Sequence, residues 1–102
     1  MTLRLGVIGT GFARRVQVPA LQLVPGVRAT AVASGRRENA QATAREFGIT
    51  SVYDDGLALA RDPQVDAVLV ASTPASHARF AVAALESGKH VLCEKPTGAE
   101  RR

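Results

Sequence analysis

The sequence has no tryptophan, four aromatic residues in all and a single cysteine, Cys93, among 102 residues. One cysteine excludes an intrachain disulfide, and nothing in its use points to an oxidising compartment. No apolar run approaches the roughly 20 residues of a membrane helix. The N-terminus also lacks the apolar core and cleavage site of a secretion signal. The expected compartment is therefore the cytoplasm, with no membrane partner. Too few aromatics, and no basic stripe along any expected helix, leave no basis for nucleic-acid recognition. A chain of this length buries roughly 60–65% of its unfolded surface, enough for one core but not for a second catalytic domain.

Carboxylates are missing from the first third. Six arginines (Arg4, Arg14, Arg15, Arg28, Arg36 and Arg37) precede the first acidic residue, Glu38, although the net charge is only +4. Such a stretch marks either a place where an anion is held or a solvated basic surface, since arginine outnumbers lysine eleven to two.

What is present is an alternation of strand and helix patterns. Leu3 to Gly9 is rich in apolar residues and meets glycine, as a strand entering a tight turn does. A helix is expected over Phe12 to Val24, kinked or restarted near Val18 by Pro19 and stopped by Pro25-Gly26. Val27 to Ser34 reads as a second strand and Glu38 to Phe47 as a helix capped by Gly48. A short strand, Ser51 to Tyr53, leads to Asp54 as the expected N-cap of a helix over Gly56 to Arg61. Asp66 to Ala71 is nearly all apolar, as expected of a strand covered on both faces. A helix from about Ala75 to Ser87, ended by Gly88, precedes a fifth strand, His90 to Cys93. The fold class is α/β, an open parallel sheet of about five strands flanked by helices. Residues 1–96 form the domain and 97–102 a tail.

Four places on this frame carry chemistry. The first strand runs into Gly9, Thr10, Gly11, Phe12, Ala13 and Arg14. Glycines at a strand-to-helix turn let the backbone approach a pyrophosphate, whose charge the helix N-terminus stabilises. The motif departs from G-x-G-x-x-G/A, because Arg14 holds the last position and the small residue, Ala13, comes one place early. Its location after the first strand supports it more than its spelling does. Arg14 and Arg15 oppose the macrodipole of the following helix by roughly 0.3–1 kcal/mol each unless an anion is bound or they point into solvent.

At the end of the second strand, NAD binders usually carry an acidic residue for the ribose hydroxyls, whereas a 2′-phosphate needs its absence and a nearby arginine. Here stand Ser34, Gly35, Arg36 and Arg37, which favours NADP over NAD, although an arginine stacked on adenine also tolerates NAD. After the fourth strand, Ser72, Thr73 and Pro74 lie where strand ends line the ligand crevice of such a sheet. Thr73 also reads as a plain N-cap with Pro74 at the first helical position. His77 is read either as facing that crevice or as a helix-surface imidazole. Glu94 and Lys95 follow the fifth strand on the same rim. They are read either as a solvated pair or, with neighbours lowering the amine's pKa, as bringing a lysine, Lys95, to protonate or deprotonate a substrate hydroxyl. Cys93 reads as a small buried hydrophobe, and no metal site is expected.

These residues in this order resemble the Gfo/Idh/MocA family of oxidoreductases. The resemblance rests on VIGTGFARRVQVPAL, on SGRR, and most specifically on VDAVLVASTPASHARFAVAALESGKHVLCEKP, covering about Leu3 to Pro96. It implies a Rossmann-type cofactor domain that binds NADP or NAD, of which Ser34 to Arg37 favour NADP, in an enzyme transferring hydride to or from a sugar or polyol. It implies that Gly9 to Ala13 hold the pyrophosphate, Ser34 with Arg36 and Arg37 the adenosine end, and Ser72 to Pro74 with His77 the nicotinamide side. It further implies that Glu94 and Lys95 lie at the nicotinamide, with Lys95 the catalytic residue contacting substrate. Family members continue into a substrate domain. The chain is thus expected to show little turnover alone and to work with a separate C-terminal domain or partner chain. A non-catalytic dinucleotide-binding or sensor module is the alternative. A methyltransferase is disfavoured by the missing carboxylate at Ser34 to Arg37.

Overall fold

A computed structural model describes residues 2–9, 18–21, 23–71 and 74–93, the side chains of 74–77 and 93 excepted. Strands β1 (Leu3–Ile8), β2 (Val27–Ala33), β3 (Ser51–Tyr53), β4 (Ala67–Val70) and β5 (His90–Cys93) alternate with helices. These are α1 (Val18–Leu21), α2 (Arg37–Phe47), α3 (Gly56–Ala60) and α4 (Pro74–Glu86). All strand pairs are parallel, in the order β3-β2-β1-β4-β5. The expected α/β class and five-stranded parallel sheet are therefore what forms.

The order follows from the apolar pattern. In β4 all four residues are buried, so this strand needs cover on both faces, and only a central position provides it. Side chains alternate between the faces. Leu5, Val7, Ala67 and Leu69 join Ala40 and Ala44 of α2 and Val18 of α1 in one core layer. Ile8, Val68 and Val70 join Leu59 of α3 and Phe80, Ala83 and Ala84 of α4 in the other. At Gly6 α3 packs closely on the sheet, since a Cβ there would stand 2.5 Å from Leu59 Cδ2. At the same point β1 and β2 slip register: Leu5 pairs with Ala29 and Gly6 with Ala31, leaving Thr30 as the extra residue of a bulge.

Three local expectations change. Asp54 does not cap α3; Asp55 does, its carboxylate accepting from the Leu57 amide at 2.9 Å. The helix begins at Gly56 as expected, and the N-cap is the residue immediately before it, whose side chain reaches the amide two residues ahead; that residue is Asp55 rather than Asp54. The first helix ends at Leu21 rather than Val24. Leu23 and Val24 donate instead to Ala20 and Leu21 in tight turns, and both side chains are exposed. Helix α2 starts at Arg37, with Arg36 in the N-cap position and no side chain capping it.

Candidate functional site

The ends of β1, β2 and β4 meet at one rim, between the two halves of the sheet. Ile8 pairs with Ala33 on one side and Val70 on the other. The ladder runs one residue further on each flank: the Gly9 amide donates to the Ala33 carbonyl at 2.8 Å and the Ala71 amide to the Ile8 carbonyl at 2.8 Å. Gly9 leaves the strand at φ 95°, a conformation that L side chains rarely adopt. A backbone with no side chain therefore stands between the ends of two neighbouring strands, at the point where an open parallel sheet reverses its strand order. That is where such sheets hold ligands.

Ser34, Arg36 and Arg37 occupy the same rim at the end of β2. The Arg36 amide donates to Ser34 Oγ at 3.4 Å, closing a short turn immediately before α2. Arg36 and Arg37 thus stand at a helix N-terminus, where the macrodipole opposes each by roughly 0.3–1 kcal/mol. Glu38 is the acidic residue of that first turn.

Sequence reasoning missed the group facing them. Because β3 runs parallel to β2 with Tyr53 opposite Ala33, Asp54 emerges beside Ser34, and its Oδ1 accepts from Arg37 Nη1. The end of β2 carries no carboxylate of its own, but the neighbouring strand supplies one. The signal was present in the Asp54-Asp55 pair, whose second member suffices as the cap.

Of the other residues expected to act, Thr10, Gly11, Phe12 and Ala13, with Arg14 and Arg15, lie outside the described residues. So do Ser72, Thr73, Glu94, Lys95 and Pro96. Pro74 opens α4 and His77 lies in its first turn, which places their backbone just past the end of β4; their side chains are outside the description. Among the described residues, then, the rim brings together Gly9, Ser34, Arg36 and Arg37. Gly9 and the two arginines thus follow the ends of neighbouring strands, β1 and β2.

The opposite ends of the strands carry depressions of about 450 and 550 Å³, one beside Gly26 and Phe47, the other beside Arg4, Asp66 and Lys89. In the second, Arg4 and Lys89 are engaged. Arg4 grips Asp66 through Nε at 3.0 Å and Nη2 at 3.1 Å, and its amide donates to the same carboxylate at 2.8 Å. These bonds hold the Asp66 carboxyl down at about 2. Lys89 donates to the Asp62 carbonyl. Among the described residues no three potential metal ligands cluster, and no helix is long and apolar enough to cross a membrane.

The chain resembles known proteins along nearly its whole length. The Gfo/Idh/MocA family model, described as an oxidoreductase family with an NAD-binding Rossmann fold, matches residues 3–100. Inositol 2-dehydrogenase of Paracoccus denitrificans is 40% identical, the match covering 94% of this chain and 29% of that protein. Myo-inositol dehydrogenase of Lactobacillus casei, solved with NAD(H) and myo-inositol, superposes with a TM-score of 0.86 at 35% identity, over 94% of this chain and 29% of that one. A 3-ketoreductase of Actinomadura kijaniata, solved with NADP and TDP-benzene, gives 0.86 at 39% identity, over 94% and 30%. The chain thus spans under a third of the length of these relatives.

Proposed function

Because the chain belongs to the Gfo/Idh/MocA family of oxidoreductases, whose matching domain binds NAD(P), we propose that it is the cofactor half of an enzyme moving hydride between NADP or NAD and a sugar or polyol. The observation that carries this reading is Gly9, turning out of β1 at φ 95° between the ends of β2 and β4.

In this reading Gly9, Thr10, Gly11, Phe12 and Ala13 hold the pyrophosphate through backbone amides at the start of the following helix. Ser34, Arg36 and Arg37 hold the adenosine end and favour NADP, because guanidiniums match a phosphate that a carboxylate would repel. Ser72, Thr73, Pro74 and His77 border the nicotinamide together with Glu94. Lys95 is the group that takes a proton from, or returns one to, the substrate hydroxyl at its Nζ. When bound, the nicotinamide supplies the acceptor or donor of the hydride. Residues 1–96 are the cofactor domain, and the substrate pocket belongs to a further domain or partner chain, so the isolated chain turns over little. Hydride transfer requires a positioned substrate, and misplacement by 1 Å costs about 10²-fold.

Calorimetric titration with NADP, NAD and S-adenosylmethionine tests the reading. NADP should bind more tightly than NAD, Arg36→Ala should narrow the gap, and S-adenosylmethionine should not bind. Absence of binding by either dinucleotide overturns the cofactor assignment, while equal affinities overturn the NADP preference alone. Rapid oxidation of a polyol by the purified chain would refute its inactivity alone.

A further inference from the structure

Resting on that cofactor reading, we propose that Asp54 is a specificity-determining residue, whose carboxylate, borrowed from the end of β3, holds Arg37 back from a 2′-phosphate and keeps the site open to NAD. Asp54 follows Tyr53, the residue opposite Ala33, so it stands on the same rim as Ser34, one strand over. Its Oδ1 accepts from Arg37 Nη1. Asp55 performs the capping of α3, which leaves the Arg37 pair as the described contact of the Asp54 carboxylate. Among the described residues the Arg36 guanidinium has no such partner, so the two arginines differ: Arg36 is presented freely and Arg37 is shared.

Two electrostatic effects act in the same direction. A 2′-phosphate that draws on Arg37 must compete with Asp54 for its donors, and the dianion also meets the carboxylate's like charge. A ribose 2′-hydroxyl meets neither obstacle, since it carries no charge. Both side chains are more than half exposed, at 56% and 71%, so solvent screens the pair and the effect is a moderate change in preference rather than a switch.

The measurement is the ratio of NADP to NAD affinity, taken by calorimetry on the full chain and on Asp54→Asn, Arg37→Ala and the double variant. Asp54→Asn should raise the ratio by about two- to five-fold, the size of an exposed ion pair. The rise should come from NADP, with NAD unchanged or weakened. Arg37→Ala should lower the ratio more in the Asp54→Asn background than in the original chain, because only there is Arg37 released. Thermal unfolding of each variant verifies its fold, and Asp54→Ser repeats the test if Asp54→Asn does not fold. A ratio that is unchanged or lower in Asp54→Asn overturns the proposal while leaving the cofactor reading in place. Failure of the original chain to bind either dinucleotide overturns both.

Discussion

The Gly9 amide donates to the Ala33 carbonyl at 2.8 Å while Gly9 itself stands at φ 95°, so the last rung of the β1–β2 ladder is made by a residue already turning away from the sheet. A side chain at Gly9 must either strain the backbone or break that rung. Gly9→Ala should therefore destabilise the fold by about 1–2 kcal/mol and, on the proposed cofactor reading, weaken dinucleotide binding by at least about tenfold, because that reading brings the pyrophosphate against this turn. Denaturant unfolding and calorimetry on the same preparation separate the two effects. Unchanged stability and affinity would contradict the role given to Gly9.

Tyr53 is the only tyrosine, and the chain has no tryptophan, so its ionisation can be followed directly by ultraviolet absorbance. Its hydroxyl donates to the Asp62 carboxylate, which pushes the phenol up to about 12. The folded value is raised, so the stability from this bond is complete below the unfolded tyrosine value near 10 and is lost as pH rises through about 12. Tyrosinate should appear in the native chain with a midpoint about two pH units above that in urea. Coincident midpoints would show the bond to be absent in solution. Tyr53→Phe should cost about 1–2 kcal/mol at neutral pH and remove the alkaline sensitivity.

Fold and site were unequally legible in the sequence. The apolar runs at Leu3 to Ile8 and Ala67 to Val70, with turns at Gly26, Gly48 and Gly88, predict alternating elements because burial and turn chemistry are local properties. Gly48 and Gly88 indeed follow α2 and α4 at φ 69° and 78°. The expected first helix runs past the observed one, because Val24 continues a helical spacing although its side chain stays exposed. Asp54 was misassigned for a different reason. Its partner Arg37 is 17 residues away, and the pair exists only because β3 lies against β2. Register between strands is not written in either strand alone. The positive rim at Ser34 to Arg37 was legible, but the carboxylate that tempers it was not.

Asp66 gives the fold an acid limit. Hydrogen bonds from the Arg4 side chain, and then from the Arg4 amide, hold its carboxyl at about 2, below the usual value near 3.9. The folded value is depressed, so the stabilisation is complete above about pH 4 and is lost as pH falls through about 2. Asp66→Asn should therefore lower stability at pH 7, with the difference from the original chain shrinking as the pH approaches 2. Urea midpoints measured at several pH values test this. A difference that stays constant with pH would show that the carboxylate's charge is not involved.

Gly56 and Gly35 separate space from backbone freedom. A Cβ on Gly56 would lie 2.8 Å and 3.0 Å from the Phe80 ring and 3.1 Å from Ile8 Cγ2. That ring is only 8% exposed, held between α3 and α4, so it cannot swing aside as the end of a surface side chain could. Gly56→Ala should cost about 1–3 kcal/mol through overpacking, although alanine is the better helix former. Gly35 has nothing within 4 Å of such a Cβ and does not stand at positive φ. Gly35→Ala should leave the fold intact or stabilise it by about 0.4–1 kcal/mol, by restricting the unfolded chain. Equilibrium unfolding of the two variants side by side should show a loss for Gly56→Ala and none for Gly35→Ala. If Gly56→Ala proved neutral, α3 would not sit as close to Phe80 as the structure places it.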